Sequence, residues 1–287
     1  MIVFITFHNC GNLSNFISMK RNRILFAFLL LYTLAAGFRS SKEVPPPRAI
    51  ICLTYDDALE SHLSTVIPQL DSFGLKATFF INSFRGSSEF LGQASQDVAG
   101  WTKAAKNGHE LGNHTFFHPC PEKYGWDKTV SLETYSIDKL VMEIKAENVF
   151  LSLLDPAHNT RSFAYPCNNT MVDGKDYSTI IREQGLAKFA RLDGDKNSVV
   201  TDFTSLNEMK VPSWHVAENT GPDELINFAK MVKEKHGLGV YQFHSVGGHL
   251  FNISPEAHRL FLNYLKQNEK DYWVATFSDA MESITKK

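Results

Sequence analysis

Two aspartates and two histidines are the residues of this chain whose types and spacing best suit catalysis. Asp56 and Asp57 end a run of strand-forming residues, and His114 and His118 lie four positions apart. Two imidazoles and one carboxylate make a three-ligand metal site that leaves a coordination position open for water. The second carboxylate is then free to accept a proton from that water. The pattern therefore predicts a metal-dependent hydrolase.

The same residues also fit simpler roles. Asp57 precedes Ala58 and Leu59, so it would suit the N-cap of a following helix. The two histidines have the spacing of a helical zinc-peptidase motif, but Thr115 stands where such enzymes have the catalytic glutamate. The sequence therefore argues against a zinc peptidase of that kind and favours another hydrolytic metal site.

The elements that must position these residues alternate along the chain. Continuous apolar runs, typical of parallel strands buried on both faces, predict strands at 49–55, 76–82, 109–113, 161–166, 188–192, 208–212, 239–245 and 272–277. Amphipathic segments with terminal Gly or Pro residues predict helices at 59–73, 95–107, 131–154, 176–184, 222–236 and 255–268.

This alternation predicts an α/β fold, a single-domain (β/α) barrel that is distorted and incompletely closed. In such barrels the catalytic groups come from the C-terminal ends of the strands. Asp56, His114, Cys167 and His244 all fall at such ends. The predicted fold and the predicted metal site therefore agree.

Composition narrows the class of partner. The chain has 287 residues, 43% of them hydrophobic, and a formal net charge of −2. A globular protein with a sizeable core has this composition, and the near-neutral charge gives no reason to expect nucleic acid or an anionic membrane as partner.

The N-terminal segment predicts export to the periplasm, cell surface or medium. A basic cluster at 20–23 precedes an apolar run at 24–36, and Ala35-Ala36-Gly37 fits a cleavage site before Phe38. An uncleaved anchor is the alternative, but the run is shorter than the roughly 20 residues of a spanning helix, and we expect no stable membrane insertion after cleavage. The expected divisions are 1–18 upstream of a true start at Met19, 19–37 signal peptide, 38–47 Pro-rich joint and 48–287 a single domain.

The chain has four cysteines, too few to indicate a disulfide framework. Cys52 lies in the first predicted strand and suits a core position. Cys120 and Cys167 follow two of the segments that converge on the predicted site. Whether they pair depends on the distance between their Cα atoms, which the sequence leaves open.

Five segments together resemble the polysaccharide deacetylases, also called the NodB homology domain or carbohydrate esterase family 4. Thr54-Tyr55-Asp56-Asp57-Ala58 is similar to the family motif T-F-D-D-G, and His114-Thr115-Phe116-Phe117-His118 matches H-[ST]-x-x-H. Residues 163–168 resemble the third motif, 240–244 the strand before the last catalytic histidine, and 272–277 the closing strand. The similarity covers residues 48–284, so the domain at 48–287 would be of this family.

The resemblance implies a role for each matching residue. Asp57, His114 and His118 would hold a divalent metal ion, usually zinc in this family. Asp56 would be the general base and His244 the general acid, and the backbone N–H of Cys167 would help to hold the oxyanion. The predicted substrate contacts are Tyr165, Pro166 and Trp214, and the predicted substrate is an acetylated polysaccharide or oligosaccharide.

Two departures from the family pattern affect these roles. Ala164 replaces an arginine that contacts the base in many members, so Arg161 or Arg191 would have to supply a cation near Asp56. The aspartate that supports the acid histidine is unclear, with Asp193 and Asp195 as candidates and Trp214 as its neighbouring tryptophan. Tyr124 and Trp126 could stack on sugar rings or simply anchor a loop.

Three functions remain open at this level. The leading one is an exported metal-dependent deacetylase of N-acetylated carbohydrate. An O-acetyl esterase, as on xylan, would use the same motifs. An inert glycan-binding protein on the same scaffold would not need Asp56 or His244, and both are present.

Overall fold

The computed structural model describes residues 49–83 and 97–286, which belong to one compact unit. The predicted signal peptide, the Pro-rich joint and the residues before them lie outside the described residues. Within the described ranges no helix is long and apolar enough to cross a membrane.

The strands overlap the apolar runs that predicted them, although the strand predicted at 208–212 is found at Val211–His215, and there is one additional hairpin. Their bounds are β1 Ala49–Asp56, β2 Thr78–Ile81, β3 Glu110–Asn113, β4 Ser162–Ala164, β5 Met171–Val172, β6 Lys175–Asp176, β7 Phe189–Asp193, β8 Val211–His215, β9 Leu238–Phe243 and β10 Tyr272–Ala275. The unpredicted hairpin is β5–β6, an antiparallel pair separate from the main sheet.

Seven parallel strands pair in a ring, in the order β1-β2-β3-β4-β7-β8-β9 and back to β1. β10 pairs with the N-terminal half of β1, outside this ring. Strand pairing is least extensive between β3 and β4, which share the single residue pair Asn113 and Phe163. The predicted fold class, a distorted single-domain (β/α) barrel, is confirmed. The expectation that the barrel is incompletely closed is wrong, because β9 pairs with β1 from Ile50–Leu238 to Tyr55–Phe243 and completes the ring.

The helices flank the strands. Their bounds are α1 Ile67–Ser72, α2 Val98–Lys106, α3 Ile137–Leu154, α4 Ser178–Glu183, α5 Pro222–Glu234, α6 Pro255–Gln267 and α7 Phe277–Thr285. α3 is shorter than the predicted helix 131–154, because Ser136 has an extended backbone and its side chain accepts a hydrogen bond from Lys139 N, which caps the helix there. α7 was not predicted; it begins after Thr276, whose hydroxyl caps it by accepting from Asp279 N.

Successive side chains of a strand point to opposite faces, so the residues of each strand pack in two different environments. In β1, Ile51, Leu53 and Tyr55 pack in the cluster that includes the helices α5 and α6. Ile50 and Cys52 pack instead in a second cluster with residues of other strands and of α7. Asp56 continues this second row at the C-terminal end of the strand.

The same arrangement recurs in the strands that complete the ring. Phe189 in β7, Val211 in β8 and Val240 in β9 belong to the second cluster. The residues two and four positions after each of these lie on the same face of the strand and are polar. Several of these polar residues line one cavity. The barrel interior is therefore apolar at one end and polar at the end where the strands finish.

Candidate active site

The C-terminal ends of the barrel strands enclose a cavity of about 400 Å³. Its lining includes the carboxylates and imidazoles predicted from the motifs together with several aromatic side chains. The lining residues are Asp56, Asp57, His114, His118, Tyr124, Trp126, Tyr165, Cys167, Asn168, Asp193, His215, Gln242, His244, Leu250 and Phe251.

Asp57 lies among three imidazoles. Its Oδ1 is 3.5 Å from His114 Nε2 and 3.2 Å from His118 Nε2, and its Oδ2 is 3.8 Å from His244 Nε2. All four side chains are buried. Burial alone would raise the pKa of the Asp57 carboxyl, but the attraction of the imidazoles, His118 first, lowers it. Asp57 is therefore ionised.

This donor set fits a divalent metal ion. Asp57, His114 and His118 place one ligand atom each within 4.8 Å of one another. His114 Nδ1 lies 2.8 Å from the carbonyl oxygen of Ala164, so Nδ1–H donates and the Nε2 lone pair faces Asp57. Asp57 Oδ1 is buried and has no hydrogen-bond partner among the described residues. A cation between the three atoms would satisfy that oxygen.

Metal ligation also suits the protonation state of His114. Burial, followed by repulsion from His118, lowers the pKa of His114 to about 4. His114 is therefore neutral at pH 7, which a ligating imidazole must be.

The segment that carries the two histidines is a tight turn rather than a helix. Asn113 Oδ1 accepts from Thr115 N, and Thr115 Oγ1 accepts from His118 N. Thr115 and His118 have positive φ angles of 61° and 52°. Side-chain acceptors thus replace the backbone bonds of a helix and turn both imidazoles toward Asp57.

Asp56 is held by residues from two other strands. Arg191 in β7 donates to Asp56 Oδ2 at 2.5 Å, and Gln242 in β9 donates to the same oxygen at 3.0 Å. Burial favours the neutral acid, but the attraction of Arg191, with smaller contributions from His114 and His244, lowers the pKa of Asp56. Oδ1 has no partner among the described residues, so a basic oxygen is left free.

Arg191 therefore supplies the positive charge that an arginine at the position of Ala164 would otherwise bring to Asp56. Its guanidinium is fully buried and also donates to Ser213 Oγ at 3.2 Å. Arg161, the other candidate, is paired with Asp155 at 2.7 Å and donates to the carbonyl oxygens of Leu151 and Asp155. Of the two arginines proposed from the sequence, only Arg191 contacts the predicted base.

His244 follows β9 and lies beside Asp57, but the expected aspartate support is not found. Its Nδ1 is buried and has no hydrogen-bond partner among the described residues, and Asp193 and Asp195 are exposed. Support comes instead through the backbone, where His62 Nε2 lies 2.9 Å from the carbonyl oxygen of His244. Neither of the two candidates, Asp193 and Asp195, is therefore hydrogen-bonded to His244 Nδ1.

Cys120 and Cys167 form a disulfide, with their Cα atoms 5.7 Å apart. The bond joins the turn that carries His118 to the segment after β4. Cys167 lies in the 3₁₀ turn Pro166–Asn168 with a positive φ of 49°. The disulfide thus fixes the position of the backbone N–H predicted to hold the oxyanion.

The three predicted substrate contacts have different positions. Tyr165 lines the cavity, although its hydroxyl donates to the carbonyl oxygen of Met209. Pro166 is buried at the start of the 3₁₀ turn and does not line the cavity. Trp214 is also buried away from it and packs against Phe228 and Tyr241 at centroid distances of 5.1 and 5.6 Å.

Strand alternation explains the position of Trp214. Ser213 and His215 belong to the interior row of β8, which begins at Val211, so Trp214 must face the helices. His215 is not among the predicted site residues, but its ring lies 5.2 Å from that of His244. Gln242, Leu250 and Phe251 were also missed. Counting alternate residues back from the end of each strand would have identified Gln242 and His215.

A family model described as polysaccharide deacetylase matches residues 43–173. The predicted resemblance to this family is confirmed. No curated protein sequence matches the chain.

Solved structures of that family share the fold. The Xyl-CE4 domain of a multidomain xylanase from the hindgut metagenome of Trinervitermes trinervoides has 18% identity and a TM-score of 0.51, covering 82% of this chain and 90% of its own. The catalytic domain of a peptidoglycan N-acetylglucosamine deacetylase from Eubacterium rectale has 17% identity and a TM-score of 0.51, covering 81% and 90%. A CE4 family pseudoenzyme from Bacillus anthracis has 17% identity and a TM-score of 0.50, covering 83% and 66%.

Proposed function

We propose that this protein is a metal-dependent deacetylase that hydrolyses acetyl groups on carbohydrate. The observation that carries the proposal is the convergence on one cavity of a three-ligand donor set with two further groups that transfer protons. Asp57, His114 and His118 form the donor set, and Asp56 and His244 flank it. The match to the deacetylase family model supports the same chemistry.

The metal site fits zinc, because two imidazoles and one carboxylate are typical ligands of catalytic Zn²⁺. When bound there, the metal supplies Lewis acidity, which polarises the acetyl carbonyl and acidifies a water molecule. The backbone carbonyl of Ala164 orients His114, and the disulfide at Cys120 fixes the turn that presents His118.

Proton transfer is the task of Asp56 and His244. Asp56, kept ionised by Arg191, accepts the proton of the attacking water on its free oxygen. His244 lies across Asp57 from the other two imidazoles and donates a proton to the departing amine or alcohol. The N–H of Cys167 stabilises the negative charge that develops on the carbonyl oxygen.

Both proton-transfer groups argue against a binding-only role. The Bacillus anthracis neighbour shows that a protein of this fold can be a pseudoenzyme. This chain keeps a buried, ionised carboxylate at the base position and an imidazole at the acid position, and a protein that only binds glycan has no need of either.

The experiment is acetate release by the purified, zinc-loaded protein, with Asp56→Asn as control. The panel comprises N-acetylglucosamine oligomers, peptidoglycan and acetylated xylan, which separates amide from ester substrates. Acetate release that disappears in the control supports the proposal. No release from any of the three, with zinc bound, contradicts it.

We also propose that the protein is exported, because the N-terminal segment has the order of a signal peptide. Sequencing the N-terminus of the protein recovered from its native cells tests this. A mature chain that begins at Phe38 supports export, and a chain that retains residues 19–37 contradicts cleavage.

A further inference from the structure

Phe251 has a position that the proposed chemistry does not require. It lies in the loop after β9, lines the cavity and leaves 42% of its surface exposed. Its φ angle of 41° is in the left-handed region, which is unfavourable for a bulky side chain. Exposure of a large ring and backbone strain at the same residue are characteristic of a binding site.

The ring is held by specific contacts. Its centroid lies 4.9 Å from that of His215, edge-on at 86°, and 5.0 Å from that of His244. The loop closes on itself, because Leu250 N donates to Ser245 Oγ and Gly248 N donates to Asn252 Oδ1. Phe251 therefore presents a fixed apolar surface directly beside the predicted acid.

A second aromatic residue lines the same cavity beside His118. Trp126 is half-buried, its ring is 5.6 Å from that of His118, and its Nε1–H donates to the carbonyl oxygen of His118 at 2.8 Å. His118 faces Asp57 Oδ1, whereas His244 faces Asp57 Oδ2. An indole thus lies next to His118 and a phenyl ring next to His244, and both line the same cavity.

We propose that Phe251 and Trp126 are the two apolar walls of the subsite that holds the acetylated sugar residue. A pyranose ring has apolar C–H faces and a polar rim of hydroxyl groups, so aromatic walls can bind its faces while the carboxylates and imidazoles between them reach the acetyl group. Phe251 then determines how well a carbohydrate binds and does not take part in proton transfer.

This inference rests on the proposed function for the identity of its ligand, but binding can be measured without turnover. Zinc-loaded Asp56→Asn protein is titrated by calorimetry with an N-acetylglucosamine oligomer and with an acetylated xylan oligomer. The oligomer that binds is then titrated into the same protein carrying Phe251→Ala, Phe251→Leu or Phe251→Tyr. Leu260→Ala is the matched control, because Leu260 is an exposed apolar residue, 37% exposed, on α6.

We expect Phe251→Ala to weaken binding about tenfold, as truncation of a well-placed aromatic contact does. Phe251→Tyr should bind like the parent, Phe251→Leu should resemble Phe251→Ala, and Leu260→Ala should change nothing. Equal affinity of Phe251→Ala and the parent would overturn the inference, as would full rescue by leucine or failure of the parent to bind either oligomer. Binding by the parent with no acetate release from the wild type would contradict the proposed function and leave the subsite in place.

Discussion

At the scale of single residues, the guanidinium of Arg191 in β7 keeps the carboxyl of Asp56 ionised. In many proteins that this chain resembles, an arginine of the third motif contacts the base. Here that position is Ala164, and the guanidinium of Arg191 reaches Asp56 Oδ2 from the neighbouring strand β7. Ala164 and Arg191 are paired residues of the neighbouring strands β4 and β7. A positive charge therefore still lies beside Asp56, although a different strand supplies it.

Asp56 and His114 are expected to fail in different ways when they are replaced. Asp56→Asn should keep the metal and lower kcat on the order of 10²–10⁴-fold, because only proton transfer is lost. His114→Ala should lose both metal and activity. Elemental analysis of the purified variants alongside acetate release makes the distinction, and near-normal turnover by Asp56→Asn would disprove the assignment of the base.

Replacing Arg191 should change the pH dependence of the reaction. Asp56 must be ionised to act as base, so activity falls as the pH falls through its pKa, which Arg191 lowers. Arg191→Met removes that attraction and raises the pKa, so the acidic limb of kcat/KM should move to higher pH. The pH profiles of wild type and variant, measured on the same acetylated substrate, test this.

Arg161→Met is the matched control for that shift. Arg161 is also buried and also paired with one carboxylate, that of Asp155. Both variants should lose stability, because each leaves a buried charge without its partner. Only the Arg191 variant should shift the acidic limb; equal shifts in both would mean that the effect is structural.

The predicted residues divide according to how far local sequence determines them. Asp56, Asp57, His114 and His118 were found because each pair is contiguous or nearly so, and strand ends bring the pairs together. Phe251 was missed because it lies seven residues beyond His244 in a loop whose path no periodic pattern determines. Trp214 was misplaced because its residue type was considered without the face of β8 on which it lies.

At the scale of elements, the disulfide ties together two loops that serve the same site. Cys120 lies two residues after His118, and its Sγ is 3.6 Å from His118 Nδ1. Cys167 follows β4 and lines the cavity. The strands that precede these two segments share a single residue pair, and the hydrogen bond of His114 to the carbonyl oxygen of Ala164 also connects them, so the disulfide adds a covalent link where strand pairing is sparse.

We expect the double variant Cys120→Ser, Cys167→Ser to lose about 2–5 kcal/mol of unfolding free energy, as loss of a native disulfide typically does. Its affinity for zinc should also fall, because His118 loses its constraint. Thermal unfolding and zinc titration measure the two effects. A thiol-free phosphine reductant, which does not compete for zinc as dithiothreitol does, should reproduce both in the wild type and have no further effect on the double variant; a wild type that is unaffected by reduction would contradict the expectation.

The missed elements had local sequence features of their own. The hairpin β5–β6 turns through Asp173 and Gly174, with φ angles of 52° and 70°, as a two-residue turn requires. Its strands are two residues long, too short for a periodic pattern. For α7, Thr276 and Asp279 bond to each other as a cap. The Cys120–Cys167 pair, in contrast, depends on the approach of two separate loops, which no local pattern encodes.

At the scale of the whole molecule, two buried neutral histidines, His62 and His258, lie between β1 and the helices and connect them to the active site. His258 Nδ1–H donates to Gln69 Oε1, and its Nε2 accepts from Tyr55 OH, both at 2.7 Å. His62 donates to the carbonyl oxygen of His244. Burial lowers the pKa of His258 to about 3 and that of His62 to about 4.

These histidines should make the fold sensitive to acid. The unfolded chain binds protons at an ordinary histidine pKa of about 6.5, whereas the folded chain does so only near pH 4 to 3. The stabilisation that depends on these two histidines being neutral is therefore complete above about pH 6.5 and falls as the pH falls toward the folded values, with His258 alone costing about 2 kcal/mol by about pH 5. Burial raises the pKa of Glu147 to about 8, which changes stability in the opposite sense over this range, so the loss is measured by comparing urea unfolding of the wild type and a His258 variant between about pH 7 and about pH 5.

His258→Gln isolates the contribution of the network, because a glutamine amide can accept from Tyr55 and donate to Gln69 but does not titrate. The variant should lose less stability than the wild type over the same pH range, even if its stability at neutral pH is lower. His236→Asn, at an exposed position with a positive φ that asparagine tolerates, should leave the wild-type dependence unchanged. An identical pH dependence in His258→Gln and the wild type would mean that other buried groups, not this histidine, govern acid unfolding.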